Sequence, residues 1–182
     1  VLGAALVYSG NFLIQAEVDT YDVTRLQLGI NPFSFEWTLA PGQSFTSPEA
    51  LLVYSERGLN GMSQVFHQLF RRRLARGYWR ERVRPVLINN WEATYFDFSE
   101  NQLLELAEKA QEVGVELFVL DDGWFGQRTN DRAGLGDWFV NPERLPQGLG
   151  LLAERIHGLG MQFGLWFEPE MVNKDSQLYR TH

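Results

Sequence analysis

Short apolar runs separated by turn residues predict β-strands in the first sixty residues of the chain. The runs cover residues 3–8, 11–19, 24–29 and 33–39, and in the last one large apolar side chains alternate with polar ones. Ser-Gly-Asn, Asn-Pro and Pro-Gly turn signals lie between or after them. Because strands this closely spaced pair with their neighbours, we expect residues 1–60 to form antiparallel sheet of the β-sandwich type.

The period of the apolar residues changes to that of a helix at residue 61. His67 lies off the apolar stripe and is expected to face solvent, as is the basic run Arg71–Arg73. We expect residues 61–83 to form a helical linker to a second region. The residues of the stripe are Met62, Val65, Phe66, Leu69, Phe70 and Leu74.

From residue 84 onward, the patterns of buried strands and helices alternate. Residues 85–89, 116–120 and 161–167 are apolar runs without alternation, as expected of strands that are covered on both faces. A helix between the first two begins at a capping-box pair, Ser99 and Gln102. A glycine ends that helix, and a second helix follows a long polar loop.

The order strand, helix, strand, helix, strand predicts parallel pairing with right-handed crossovers. A doubly wound sheet and an eight-fold barrel both begin this way. No glycine-rich phosphate-binding motif occurs at a strand-to-helix turn, which disfavours the nucleotide-binding version. We therefore expect residues 84–182 to be the first three β/α units of a TIM barrel, which needs about 250 residues to close.

Side chains suited to a binding site follow each of the three predicted strands. In a barrel, the three strand ends would share one mouth, where the chemistry of this fold takes place. The residues are Asn89, Asn90, Trp91 and Glu92; Asp121, Asp122 and Trp124; and Trp166, Glu168 and Glu170.

Composition narrows the class of function. The net charge of -7 argues against a nucleic-acid surface. The absence of cysteine excludes disulfides and thiolate metal sites, and no apolar run is long enough to span a membrane. Six tryptophans favour a carbohydrate site, because the apolar face of a sugar ring packs on an indole.

The adjacent carboxylates of Asp121 and Asp122 are the strongest candidate for a functional site. One of them alone could cap a helix or form an Asx turn. Two together, before Gly123 and a Trp124 that we expect to be exposed, favour the binding of sugar hydroxyls. An ionised carboxylate accepts up to about four hydrogen bonds. A metal site is less favoured, since no histidine lies nearby in the sequence.

Other polar and aromatic residues of this region have two interpretations that the sequence leaves open. Glu168 and Glu170 could be a catalytic pair, but two residues on one strand lie roughly 6.6 Å apart. Retaining glycosidases need carboxyl groups about 5–5.5 Å apart. The four tryptophans could pack in a core or stack on a sugar, and three charged residues could brace the long loop. These residues are Trp91, Trp124, Trp138 and Trp166, and Arg128, Asp131 and Asp137.

Several long motifs occur in the same order as in one known family. They are RPVLINNWEATYFDF (84–98), ELFVLDDGWFG (116–126), LGDW (135–138) and FGLWFEPEMVN (163–173), preceded by YSGNF (8–12). Together they closely resemble the α-galactosidases of glycoside hydrolase family 36, essentially from end to end of the chain. The first of them in the chain resembles the end of that family's N-terminal β-sandwich domain.

The resemblance implies a retaining hydrolase that removes terminal α-linked galactose from oligosaccharides such as melibiose and raffinose, without metal or cofactor. Asp121 and Asp122 match the acidic pair that holds galactose hydroxyls, and Trp91 and Trp166 match tryptophans that line the galactose pocket. The nucleophile and the acid/base are expected beyond residue 182. The chain would then be a fragment that is inactive alone.

Two further functions stay open. A galactosyl transferase of the same superfamily would pass the glycosyl group to a sugar, and a non-catalytic module would only bind it. In each case the expected partner is an α-galactoside oligosaccharide, not nucleic acid or membrane. A homo-oligomeric full-length protein in the cytoplasm is compatible with the sequence, which determines neither property.

Overall fold

The computed structural model of the protein describes residues 1–182, which divide into two compact units, residues 1–82 and 83–182. The first unit contains β1 (Leu2–Leu6), β2 (Phe12–Val18), β3 (Thr24–Ile30), β4 (Ala50–Tyr54), α1 (Gly58–Leu69) and a turn of π-helix (Phe70–Leu74). The second unit contains β5 (Leu87–Asn89), α2 (Trp91–Thr94), α3 (Glu100–Glu112), β6 (Leu117–Leu120), α4 (Gly148–Gly158), β7 (Gln162–Leu165) and α5 (Gln177–Thr181).

The first unit is built on two antiparallel strand pairs. β1 pairs with β4, with Leu2 opposite Tyr54, and β2 pairs with β3, with Phe12 opposite Ile30. The first three predicted strands are therefore confirmed, and β2 and β3 pair antiparallel as neighbours, whereas the partner of β1 is β4, which was not predicted. α1 begins three residues before the predicted position, and His67 is exposed as expected, within 3.3 Å of the Ser63 hydroxyl.

The predicted strand over residues 33–39 is wrong. Ser34 has a left-handed φ of 54°, which breaks an extended segment directly after a turn. The alternating rings of this segment instead pack locally, with Phe35 and Trp37 at 6.3 and 5.0 Å from the ring of Phe45. The fourth strand of the unit is β4, which the sequence pattern did not indicate.

The second unit is a parallel sheet with helices between its strands, as predicted. The strand order is β5–β6–β7, and α3 and α4 connect successive strands. The predicted capping box is present at the start of α3, where Ser99 accepts a hydrogen bond from the Gln102 backbone N–H and the Gln102 side chain accepts one from that of Ser99. Both helices cover a core whose side chains are fully buried: Leu103, Phe118, Leu120, Leu152 and Ile156.

The parallel arrangement positions the candidate residues. All three strands end at the same edge of the sheet, so that the segments after β5, β6 and β7 become neighbours. None of the helices combines the length and the hydropathy that crossing a lipid bilayer would require.

Candidate functional site

Asp121 lies at the carboxyl edge of the sheet, directly after β6, and two asparagines at the end of β5 hold it in place. The Asn89 Nδ2 donates a hydrogen bond to the Asp121 carboxylate, and the Asn90 Oδ1 accepts one from the Asp121 backbone N–H at 2.8 Å. Asp121 Oδ1 also accepts a hydrogen bond from the Asp122 backbone N–H at 2.7 Å. The donors to this half-buried carboxylate are neutral amides, so its charge has no cationic partner.

Asn90 is the deepest of these residues, with none of its surface exposed. Its Nδ2 donates to the Thr94 Oγ1 at 2.8 Å, while its Oδ1 is used by Asp121. Both ends of this amide are therefore satisfied inside the protein, as a buried polar group requires. Asn90 links the start of α2 to the end of β6.

Asp122 has a different kind of partner from Asp121, namely Arg128, a buried arginine of the long loop. The Arg128 Nε donates to both carboxylate oxygens at 2.9 and 3.0 Å, and its Nη2 donates to Oδ2 at 2.7 Å. Asp122 and Arg128 are only 5% and 4% exposed. The two adjacent carboxylates are thus in different surroundings, one against amides and one against a guanidinium.

The bracing that we expected from the charges of the loop takes three different forms. Arg128 is buried on Asp122, whereas Asp131 is exposed and lies 3.9 Å from Arg132. Asp137 accepts a hydrogen bond from the Gln177 backbone N–H at 2.9 Å, at the start of α5. It thereby ties the loop after β6 to the segment after β7.

The two tryptophans that we expected at the sugar site lie at this same edge and are half-buried. The Trp91 backbone N–H donates to the Asn89 Oδ1 at 2.7 Å, and its ring lies 5.2 and 4.9 Å, edge to face, from Tyr95 and Phe96. The Trp166 ring lies nearly parallel to Phe125, at 6.4 Å.

The expectation that Trp124 is exposed is wrong, since the residue is 2% exposed. The chain turns at Gly123, which has a φ of 96°, and directs the indole into the core. There its Nε1 donates to the Trp166 carbonyl at 3.0 Å and its ring lies 5.1 Å from Phe125. Trp138 is half-buried and packs against the core, 4.4 Å from the same Phe125 ring.

Glu168 and Glu170 follow β7, at the same edge of the sheet as the acidic pair. Glu168 is half-buried and Glu170 is exposed, and no hydrogen bond joins either carboxylate to Asp121 or Asp122. Sequence reasoning noted Asn90 in a cluster but missed the role of Arg128, because no spacing signal connects it to Asp122. No group of three or more His, Asp or Glu side chains is arranged to hold a metal ion.

Two family models together match almost the entire chain. The model described as Melibiase matches residues 44–182, and that described as Glycosyl hydrolase family 36 N-terminal domain matches residues 1–40. The chain is 60% identical over 182 residues to the α-galactosidase AgaA of Geobacillus stearothermophilus. That match covers 100% of this chain and 25% of the relative, so the chain spans about a quarter of its length.

Solved structures of the same family have the same fold over the whole chain. The GH36 α-galactosidase AgaB of Geobacillus stearothermophilus has a TM-score of 0.87 at 61% identity, covering 100% of this chain and 25% of that one. An AgaA variant from the same organism, crystallised in complex with raffinose, has a TM-score of 0.87 at 59% identity with the same coverage. The chain therefore belongs to the melibiase family, the α-galactosidases of glycoside hydrolase family 36.

Proposed function

We propose that the full-length protein is a retaining α-galactosidase that hydrolyses terminal α-linked galactose from oligosaccharides such as melibiose and raffinose. The observation that carries this proposal is the 60% identity to an α-galactosidase along the whole length of this chain. The raffinose complex of an AgaA variant supports the class of substrate.

The proposed domain organisation follows the sequence pattern and is supported by the pairing of the strands. Residues 1–60 are the C-terminal part of an N-terminal β-sandwich domain, residues 61–83 are a helical linker, and residues 84–182 are the first three β/α units of a TIM barrel. Consecutive parallel strands that are direct neighbours, as in the order β5–β6–β7, are the arrangement that a singly wound barrel requires.

Asp121, Asp122, Trp91 and Trp166 are the residues that we propose to contact galactose. Asp121 supports this role best, because its carboxylate is half-buried at the sheet edge and no Lys or Arg side chain pairs with it. A hydrogen bond from a sugar hydroxyl to such a charged group stabilises binding by about 1.5–3 kcal/mol. The half-buried indoles offer apolar surface for the C–H groups of the sugar.

In this proposal the chain binds and orients the sugar, and the bond is broken by residues elsewhere. None of the residues 1–182 is assigned as nucleophile or acid/base, and both are expected beyond residue 182. Holding the galactose ring fixed converts binding energy into correct placement of the reacting carbon. The isolated chain is accordingly expected to be inactive.

The release of p-nitrophenol from p-nitrophenyl α-galactoside by the full-length protein tests the proposed activity. We expect turnover of this substrate and none of the corresponding α-glucoside, in which one hydroxyl is inverted. A full-length protein that turns over neither substrate would overturn the proposal. The chain of residues 1–182, purified and shown by circular dichroism to be folded, should release no p-nitrophenol, and turnover by it would show that the catalytic groups lie within this chain.

Two measurements separate hydrolysis from the other functions that the sequence left open. Product analysis with an added acceptor sugar would identify a galactosyl transferase by the appearance of a new oligosaccharide as main product. Calorimetry with galactose and glucose would identify a sugar-binding module, if galactose binds selectively while no galactoside is cleaved.

A further inference from the structure

We propose that Arg128 is a positioning residue for galactose recognition, which acts by fixing the carboxylate of Asp122. The inference rests on the proposed function and deepens it, because it assigns a role to a side chain that does not itself reach the sugar. Three donor contacts of 2.7 to 3.0 Å join the guanidinium side-on to both carboxylate oxygens.

Side-on contact determines the plane of the carboxylate as well as its position. The planar fork of arginine matches both oxygens of a carboxylate, whereas the single ammonium of lysine does not. With the plane of Asp122 fixed, the lone pairs that Arg128 leaves unused point in one defined direction. A sugar hydroxyl must lie along that direction to donate a hydrogen bond to Asp122. The Asp122–Arg128 pair would therefore select sugars that have a hydroxyl at that position.

Arg128 can impose this geometry because the protein holds the guanidinium from other sides. Its Nη1 donates to the Ala133 carbonyl at 3.0 Å, and the Phe96 ring lies 5.4 Å from its central carbon. Gly134 packs on its backbone so closely that an added Cβ would lie 2.8 Å from the Arg128 N atom. A swing of the arginine away from Asp122 would therefore break several contacts at once.

The charges of the neighbouring carboxylates are a second reason why Asp122 needs Arg128 as a partner. Asp121 and Asp122 are consecutive, and two neighbouring carboxylates in a partly buried site repel each other. A guanidinium is always protonated, and burial without a counter-charge would be strongly unfavourable for it. Arg128 neutralises Asp122 and leaves Asp121 as the one uncompensated charge of the pair. Both carboxylates can then face the same sugar without the cost of like charges.

The test compares four variants of the full-length protein: R128K, R128M, D122N and the double variant R128M/D122N. Arg132→Met is the matched control, since it removes an arginine of the same loop whose side chain is 92% exposed. The measurements are kcat and KM for p-nitrophenyl α-galactoside, the Kd of galactose by calorimetry, and relative rates on a series of monodeoxy galactosides.

We expect R128K and R128M to weaken galactose binding and raise KM by about 10- to 100-fold, the effect of losing an oriented hydrogen bond to a charged group. The double variant should lose no more than D122N, because Arg128 acts through Asp122. One monodeoxy galactoside should lack the hydroxyl that Asp122 binds. Removal of that hydroxyl should slow the unsubstituted protein and the Arg132→Met control, but should have little effect on the rates of R128K and D122N.

An R128K protein with unchanged melting temperature whose Kd and KM stay within about twofold of the parent would overturn the inference. Losses in R128M and D122N that multiply in the double variant would overturn it as well. If R128M does not fold, the cycle is made with R128K and R128K/D122N. Failure of the proposed function looks different, because the unsubstituted protein would then cleave no α-galactoside.

Discussion

Gly134 lies where any side chain would collide with the backbone of Arg128. A Cβ atom there would come within 2.8 Å of the Arg128 N and Cβ atoms and 2.9 Å of its Cα, and the φ of Gly134 is +85°. Gly114, after α3, has the same φ of +85° and nothing within 4 Å of an added Cβ. Substituting alanine at each position therefore separates the effect of the contact from the effect of the backbone conformation.

The expected losses of stability follow from these two effects. An alanine in the left-handed region costs about 1–2 kcal/mol, and this cost is common to both positions. Overpacking against a backbone that cannot move freely adds about 1–3 kcal/mol, and it applies at Gly134 alone. Gly114→Ala should thus cost about 1–2 kcal/mol and Gly134→Ala about 2–5 kcal/mol.

The two variants should also differ in ligand binding, because a shift of Arg128 would move the Asp122 carboxylate that it holds. Thermal unfolding of the full-length protein measures the first effect, and calorimetry with galactose measures the second. We expect Gly134→Ala to have the lower melting temperature and the weaker galactose affinity, while Gly114→Ala keeps the parent's affinity. Equal melting temperatures and equal Kd values in the two variants would show that the close packing at Gly134 does not matter.

Three further substitutions test single contacts. Asn90→Ala leaves the part-buried backbone N–H of Asp121 without its acceptor. It should cost about 1–3 kcal/mol and weaken galactose binding in calorimetry, and an unchanged Kd would contradict the role of the amide. Trp124→Phe removes the donor to the Trp166 carbonyl and should lower stability by about 1 kcal/mol or more in thermal unfolding; no change would show that this bond contributes nothing. Ser99→Ala removes the cap of α3 and should cost about 1 kcal/mol, with kcat/KM unaltered in the p-nitrophenol assay.

Features that depend on neighbours in the chain could be predicted from the sequence. The capping box of α3 involves residues only three positions apart, so its pattern is local and Ser99 and Gln102 were correctly assigned. The strands of the parallel sheet were predicted from their continuous apolar runs, but the expected coverage on both faces is wrong for β5 and β7: only β6 has buried positions, and Leu87 of β5 is 52% exposed. The alternation over residues 33–39 was misleading, since its rings pack on Phe45 within a segment that forms no strand.

By itself, the sequence determined the α/β class of the second unit, the order of its elements and the membership of the family. It also placed Asp121 and Asp122 at the end of a strand. Only the tertiary structure decided which groups surround them, because Asn90 lies 31 positions from Asp121 and meets it only when parallel strands pair. The burial of Trp124 and the pairing of Arg128 with Asp122 likewise depend on how the loop folds back on the sheet. No periodicity in the chain encodes such contacts, since they arise from packing between segments and not from spacing along one of them.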